Sequence, residues 1–318
     1  MLLKSELKLE GVNKEDLFLF LSDPLNIEKV YPKQLKAKVR KQDDRYSVEI
    51  YLLGQFFNFD LIIKETRKYE LIIDELRGPL FKKWINVHRI VEKGKELLMI
   101  DEIEFETKLG FIGDFFARKV IERIINYRNQ SLLKIFGKES NPIFINPLQI
   151  DLVKGTSLLA FLTIFALVIL ILLPLNAIID LILGLISWVL LWYSAHDLFH
   201  LIFGNILGIR FSYYYIGFSN LIRISWIPER IRLLAITFGI KINRKKSKAS
   251  KLGFAIMYFA GPLASMLMPF IPAIYLLMKH SMIAGYFLLF ISLFNLIFTS
   301  YFSPKYGCIS KGLRVLRK

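Results

Sequence analysis

The chain has 318 residues, 54% of them hydrophobic, a formal net charge of +16 and a single cysteine, Cys308. That length accommodates two domains, and one cysteine excludes an intrachain disulfide framework. A basic balance invites a nucleic-acid partner, yet residues 1–145 carry 26 Lys/Arg against 23 Asp/Glu and the remainder 17 against 4. The excess therefore lies beside apolar segments, where membrane topology and anionic lipid account for it, and no nucleic-acid partner is expected.

In chain order, Met1–Glu15 alternates charged and apolar residues, so no signal peptide is expected. Leu2–Leu9 reads as a strand. Asn13 can cap a helix running to Leu21, and Asp23-Pro24 opens a second short helix that ends before Pro32. Lys36–Lys41, Tyr46–Leu53, Phe56–Ile63, Tyr69–Asp74, Lys82–Val91 and Glu96–Glu106 read as successive antiparallel strands, with Lys93-Gly94-Lys95 as a hairpin turn. Phe111–Phe136 is a long amphipathic helix with Gly137 suited to its C-terminal cap. His88, alone on its strand, reads as structural.

This order resembles the START-like helix-grip superfamily, including its polyketide cyclase and CoxG-like members. The resemblance rests on Ser22-Asp23-Pro24-Leu25-Asn26, Gly78-Pro79-Leu80-Phe81-Lys82-Lys83-Trp84, Asp101-Glu102-Ile103-Glu104-Phe105 and Tyr127-Arg128. It implies a curved sheet folded around the long helix, with an apolar cavity for a lipid or another small molecule. Trp84, Phe105, Phe111, Phe115 and Phe116 would line it, or serve as ordinary core.

Residues 138–155, with Asn141-Pro142 and Asn146-Pro147, read as a short linker. Beyond it the only acids are Asp151, Asp180, Asp197 and Glu229. Four apolar stretches suit membrane crossings: Ser157–Leu175, Leu181 to about Leu207, Leu252–Met278 and Ser281 to about Pro304. Gly261-Pro262, Pro269 and Pro272 predict a kink or break in the third. Residues 206–251 hold ten Lys/Arg and the tail after Pro304 five. Basic loops stay inside, so both termini and the first half are expected in the cytoplasm. Within 206–251, Tyr213, Tyr214, Tyr215 and Trp226 fit an interfacial aromatic belt, and Pro228–Phe238 a short amphipathic helix.

His196-Asp197-Leu198-Phe199-His200 lies in the second crossing. Residues at i and i+4 share a helix face, so both imidazoles can reach one metal ion. A buried unpaired imidazole is costly in hydrocarbon, which favours a metal over simple packing. Four histidines are too few for a histidine-rich di-iron site.

Here the chain resembles the site-2 protease family of intramembrane zinc metalloproteases. Ser194-Ala195-His196-Asp197-Leu198-Phe199-His200-Leu201 is similar to that family's HExxH helix. Gly204–Arg210 is similar to the exit from it, and Ala260-Gly261-Pro262-Leu263-Ala264-Ser265 to its Ala-Gly-Pro-Leu-Ala-Asn stretch. The resemblance implies zinc on His196 and His200, with Asp197 as general base. Two positions depart from it. Aspartate replaces the motif glutamate, and the late aspartate ligand is missing: Lys311 or Ser303 falls there, depending on register. Cys308 can ligate zinc as a thiolate, or act as a small packing residue. Asn295 suits either an interhelical hydrogen bond or a place near a substrate strand.

The expected architecture is an α+β helix-grip domain (1–140), a linker (141–155) and an all-α polytopic membrane domain (156–318) with about four crossings. The expected function is that of a site-2-type metalloprotease with a lipid-binding or small-molecule-binding cytoplasmic domain. Its partners would be membrane lipid and transmembrane segments of other proteins. The alternative is an inactive homologue or a membrane-anchored lipid sensor.

Overall fold

In the computed structural model, all residues are described except 53, 95, 173–175, 225 and 318. Leu53, Lys95 and the last three residues of the expected crossing Ser157–Leu175 lie outside that set. The chain forms two compact units, residues 1–148 with 217–236, and residues 149–216 with 237–318.

The first unit is built on seven strands: β1 (Leu2–Glu10), β2 (Lys38–Gln42), β3 (Arg45–Leu52), β4 (Gln55–Arg67), β5 (Leu71–Arg77), β6 (Phe81–Lys93) and β7 (Glu96–Thr107). They form one sheet in the order β1-β7-β6-β5-β4-β3-β2, and each registered pair is antiparallel. Alternation of buried and exposed residues along β1 and β4 gives the sheet one core face. Between β1 and β2 lie α1 (Lys14–Ser22) and α2 (Ile27–Val30). The Asn13 side chain accepts from Glu15 N–H at 2.8 Å, and that of Asp23 from Leu25 N–H at 3.0 Å, satisfying donors the helix starts leave open.

The long helix α3 (Gly110–Ile135) packs on β7 and β1. Its Ile121 and Ile125 meet Leu3, Ile103 and Phe105, and its Leu132 meets Leu9, Leu17 and Met99. Gly137 ends it at φ +74°, a conformation that favours glycine.

The segment 217–236 comes from the loop between the second and third apolar helices, yet its side chains complete this unit's core. Phe218 and Leu233 are buried with Val39, Val48, Phe57 and Phe59, and the Phe57 and Phe218 rings meet edge-on at 5.6 Å. Trp226 of the same segment, expected at an interface, remains exposed.

The second unit contains four helices long and apolar enough to cross a membrane, by length and composition: Leu152–Ile171, Ala177–Ile206, Lys251–Met278 and Met282–Tyr306. The first two are α4 and α5. Between α5 and the third lies α6 (Glu229–Leu234), which belongs to the first unit. The third is broken into α7 (Lys251–Leu267) and α8 (Phe270–Met278), with Pro269 between them; the fourth is α9, and a short α10 (Cys308–Arg317) follows it. Asp151, Asn176 and Ser250 cap α4, α5 and α7 through side-chain oxygens.

Polar side chains join the helices. Thr163 and Ser194 hydroxyls meet at 2.7 Å, Ser187 donates to the Ala166 carbonyl at 2.8 Å, and Trp188 Nε1 donates to Ser292 at 2.8 Å. Such bonds, together with close packing, join neighbouring apolar helices.

A three-stranded sheet, ordered β10-β9-β8, comprises β8 (Gln149–Asp151), β9 (Phe211–Phe218) and β10 (Ile236–Ile242). Tyr214, expected at an interface, is fully buried between Phe238 and Leu159, and its ring fills the space where Gly155 lacks a side chain.

Candidate functional site

One turn of α5 separates His196 from His200, and the two rings meet edge-on with centroids 4.7 Å apart. Each ring is oriented through its Nδ1 atom by α7. His200 Nδ1–H donates to the Met257 carbonyl at 2.6 Å, which leaves Nε2 with a free lone pair in the neutral ring. His196 Nδ1 meets Ser265 Oγ at 2.7 Å. The Ser265 carbonyl in turn accepts from Asn295 of α9 at 2.8 Å, so Asn295 makes an interhelical bond that steadies the turn facing His196. The two Nε2 atoms converge to 3.2 Å.

Gly261 allows this convergence. A Cβ there would lie 2.2 Å from His200 Nε2, so the ring can pack against α7 only because residue 261 has no side chain. Pro262, which follows, lies inside α7 and has no N–H for the ladder.

The third group comes from α10. Cys308 Sγ lies 3.8 Å from His196 Nε2, and the ligand atoms of His196, His200 and Cys308 all fall within 4.8 Å of one another. A tetrahedral zinc with ordinary bond lengths would set N–N at about 3.3 Å and N–S at about 3.6 Å. The N–N spacing and the His196–Cys308 spacing lie close to those values, and the three groups could hold a metal ion. Burial pushes the Cys308 thiol up. The hydrogen bond from His196, with the charges of His196 and Lys311, outweighs that and leaves its pKa below the ordinary thiol value.

α10 reaches the site because Gly312 lets it lie close on α7, where a Cβ would meet the Phe259 ring at 2.5 Å. The same helix brings Lys311 near enough to act electrostatically on His196, Asp197, His200 and Cys308. Asp197 is buried on α5, and none of the hydrogen bonds or ion pairs among the described residues involves its carboxylate.

The five residues expected to line a cavity in the sheet unit are not brought together. Phe105 is fully buried in the core beside Ile121 and Ile125, with the Trp84 ring tilted toward it at a centroid distance of 6.0 Å. Phe111, Phe115 and Phe116 lie on the first two turns of α3 and are exposed, Phe111 by 81%. The helix turns its buried stripe toward the sheet and these three away from it.

His88, expected to be structural, has several partners in the sheet unit. Register places His88 opposite Asp101, and Asp101 opposite Ser5. His88 Nδ1 bonds Asp101, its Nε2 lies 3.3 Å from Asp74 and 2.7 Å from the Asn86 amide, and Arg128 of α3 bonds the other Asp101 oxygen. Burial alone would lower the His88 pKa. The two carboxylates outweigh it and push the pKa up to about 9, while Arg128 and His88 hold Asp101 well below the usual carboxylate range against its own burial. His88 and Arg128 balance the two carboxylates, so the network is charge-neutral.

No family model matches the chain. No curated protein matches it either. Among solved structures, a START superfamily protein from Mycobacterium smegmatis is similar at 17% identity, over 42% of this chain and 96% of that one, with a TM-score of 0.34. The ZhuI aromatase/cyclase from Streptomyces sp. R1128 is similar at 12% identity, over 42% and 90%, with a TM-score of 0.30.

Proposed function

We propose that the helical unit is an intramembrane metal-binding domain of the site-2 protease type, that zinc is its metal, and that the sheet unit is a cytoplasmic domain for an apolar small molecule. The observation that carries the metal reading is the convergence of His196, His200 and Cys308 from α5 and α10. Cys308 stands in for the missing late carboxylate. Bound there, the ion supplies Lewis acidity toward a carbonyl and a nearby water.

The chain's own residues do the rest. Met257 and Ser265 fix the two rings through Nδ1, so that both Nε2 atoms would serve as ligands. Asp197 is the carboxylate available to take a proton from water and return it to a leaving amine. Lys311 supplies positive charge beside the site, where negative charge on a peptide oxygen would develop. The substrates in this reading are transmembrane segments of other proteins.

The topology rests on the sheet unit. Residues 1–148 precede the first apolar helix, and residues 217–236 follow the second, yet both belong to one compact unit. Two crossings between them put both on one side of a bilayer. The ten Lys/Arg of residues 206–251 make that side cytoplasmic.

A second reading, a relative that holds the metal and cleaves nothing, is favoured by Asp197 being one methylene shorter than glutamate. A shortfall of about 1 Å at a reacting group can cost on the order of a hundredfold in rate.

Zinc content of the purified full chain tests the shared claim. Stoichiometric zinc is expected in the wild type and loss of it in His196→Ala and Cys308→Ser; equal, negligible zinc in all three refutes the metal site. Cleavage of a model transmembrane peptide then separates the readings. Activity lost in Asp197→Asn supports the protease, and inactivity of the zinc-loaded wild type supports the non-cleaving relative.

A further inference from the structure

The sheet unit contains a cleft of about 350 Å³ between the start of β4 and the segment 220–233, lined by Gln55, Phe56, Phe57, Pro79, Ile222, Glu229, Arg232 and Leu233. That volume lies in the range of small-molecule sites.

Its walls are mainly apolar, and Phe56 remains 54% exposed in it. Its charged groups are unequally matched. Glu229 is paired with Lys108 at 2.8 Å. Arg232 has no ion pair among the described residues. One of its terminal nitrogens donates to the Ile222 carbonyl at 3.0 Å, which fixes the guanidinium, while its Nε is buried without a partner. A buried donor left unmatched is unfavourable, and a carboxylate or phosphate oxygen is the partner a guanidinium matches best.

We infer that this cleft binds an amphipathic anion, with Arg232 on the carboxylate or phosphate head and Phe56, Phe57 and Leu233 against the apolar body. Arg232 supplies the head-group selectivity and the aromatic wall supplies affinity without it.

The test uses the full chain in nanodiscs and the fluorescent probe 11-(dansylamino)undecanoate, with its methyl ester as the uncharged control for partitioning into lipid. The wild type is expected to bind the acid at least tenfold more tightly than the ester, a preference that Arg232→Gln abolishes and Arg232→Lys partly keeps. Phe56→Ala, at an exposed position that leaves the fold intact, is expected to weaken both probes. Competition distinguishes the head groups and the need for a tail. Displacement by dodecyl phosphate extends the site to phosphate heads, and displacement restricted to laurate limits it to carboxylates. Inorganic phosphate competing as well as dodecyl phosphate overturns the apolar half of the inference. Equal binding of acid and ester, or an unchanged preference in Arg232→Gln, overturns the site.

Discussion

Gly261→Ala tests the proposed metal site at its tightest point. The new Cβ would sit 2.2 Å from His200 Nε2, 2.5 Å from Cε1 and 2.7 Å from Cδ2, whereas non-bonded heavy atoms settle at about 3.5–4.0 Å. The ring cannot slide away freely, because its Nδ1 is bonded to the Met257 carbonyl at 2.6 Å. Either that bond breaks and the ring moves by about 1 Å, or α7 backs away from α5; overpacking of this kind costs about 1–3 kcal/mol. Both routes spoil the 3.2 Å approach of the two Nε2 atoms, and loss of ligand orientation typically lowers metal affinity about 10–100-fold. The assay is Zn²⁺ titration of the full chain against a chromophoric chelator, beside its thermal unfolding. Gly184→Ala is the matched control. There a Cβ meets the Leu276 and Leu288 methyl groups at 2.8 and 2.9 Å, far along α5 from the histidines, so stability falls while zinc affinity holds. Wild-type zinc affinity in Gly261→Ala would refute the assignment of His200 as a ligand facing α7.

Two further outcomes follow from the packing. Gly312→Ala is expected to lift α10 off Phe259 and carry Cys308 away from His196, reducing zinc affinity while leaving the four long helices intact; zinc affinity equal to wild type would show that Cys308 contributes nothing. The His88 network makes the sheet unit's stability depend on pH. Its folded pKa of about 9 stands above the unfolded 6.5, so its contribution of about 3 kcal/mol is fully present below pH 6.5 and is lost as pH rises through 9. Hydrogen exchange of β5–β7 amides in the full chain, corrected for intrinsic rates, should show protection falling across that window in the wild type and flat in His88→Gln. Protection that stays constant from pH 6 to 10 in the wild type contradicts the network.

Several of these features are written in local sequence, because short-range physics sets them. Asn13 and Gly137 mark helix ends through caps that span only a few residues. The apolar runs after residue 150 are long enough to be recognised without knowing their neighbours. His196 and His200 share a face by helical periodicity alone. β6 and β7 are neighbours in sequence, and the register that sets Lys93 opposite Glu96 also sets His88 opposite Asp101.

Other features depend on contacts between distant parts of the chain, which no local pattern encodes. Phe218 and Leu233 lie between two apolar helices, and nothing local says that they join the core of the sheet unit. Phe111, Phe115 and Phe116 have the composition of a cavity lining, but the rotation of α3 that buries Ile121 and Ile125 turns them outward. Cys308 lies 108 residues beyond His200 and follows an apolar helix on whose far side it could equally have ended. Its place beside the two imidazoles was decided by the docking of α10 on α7 across Gly312, a matter of packing geometry that only the folded chain could settle.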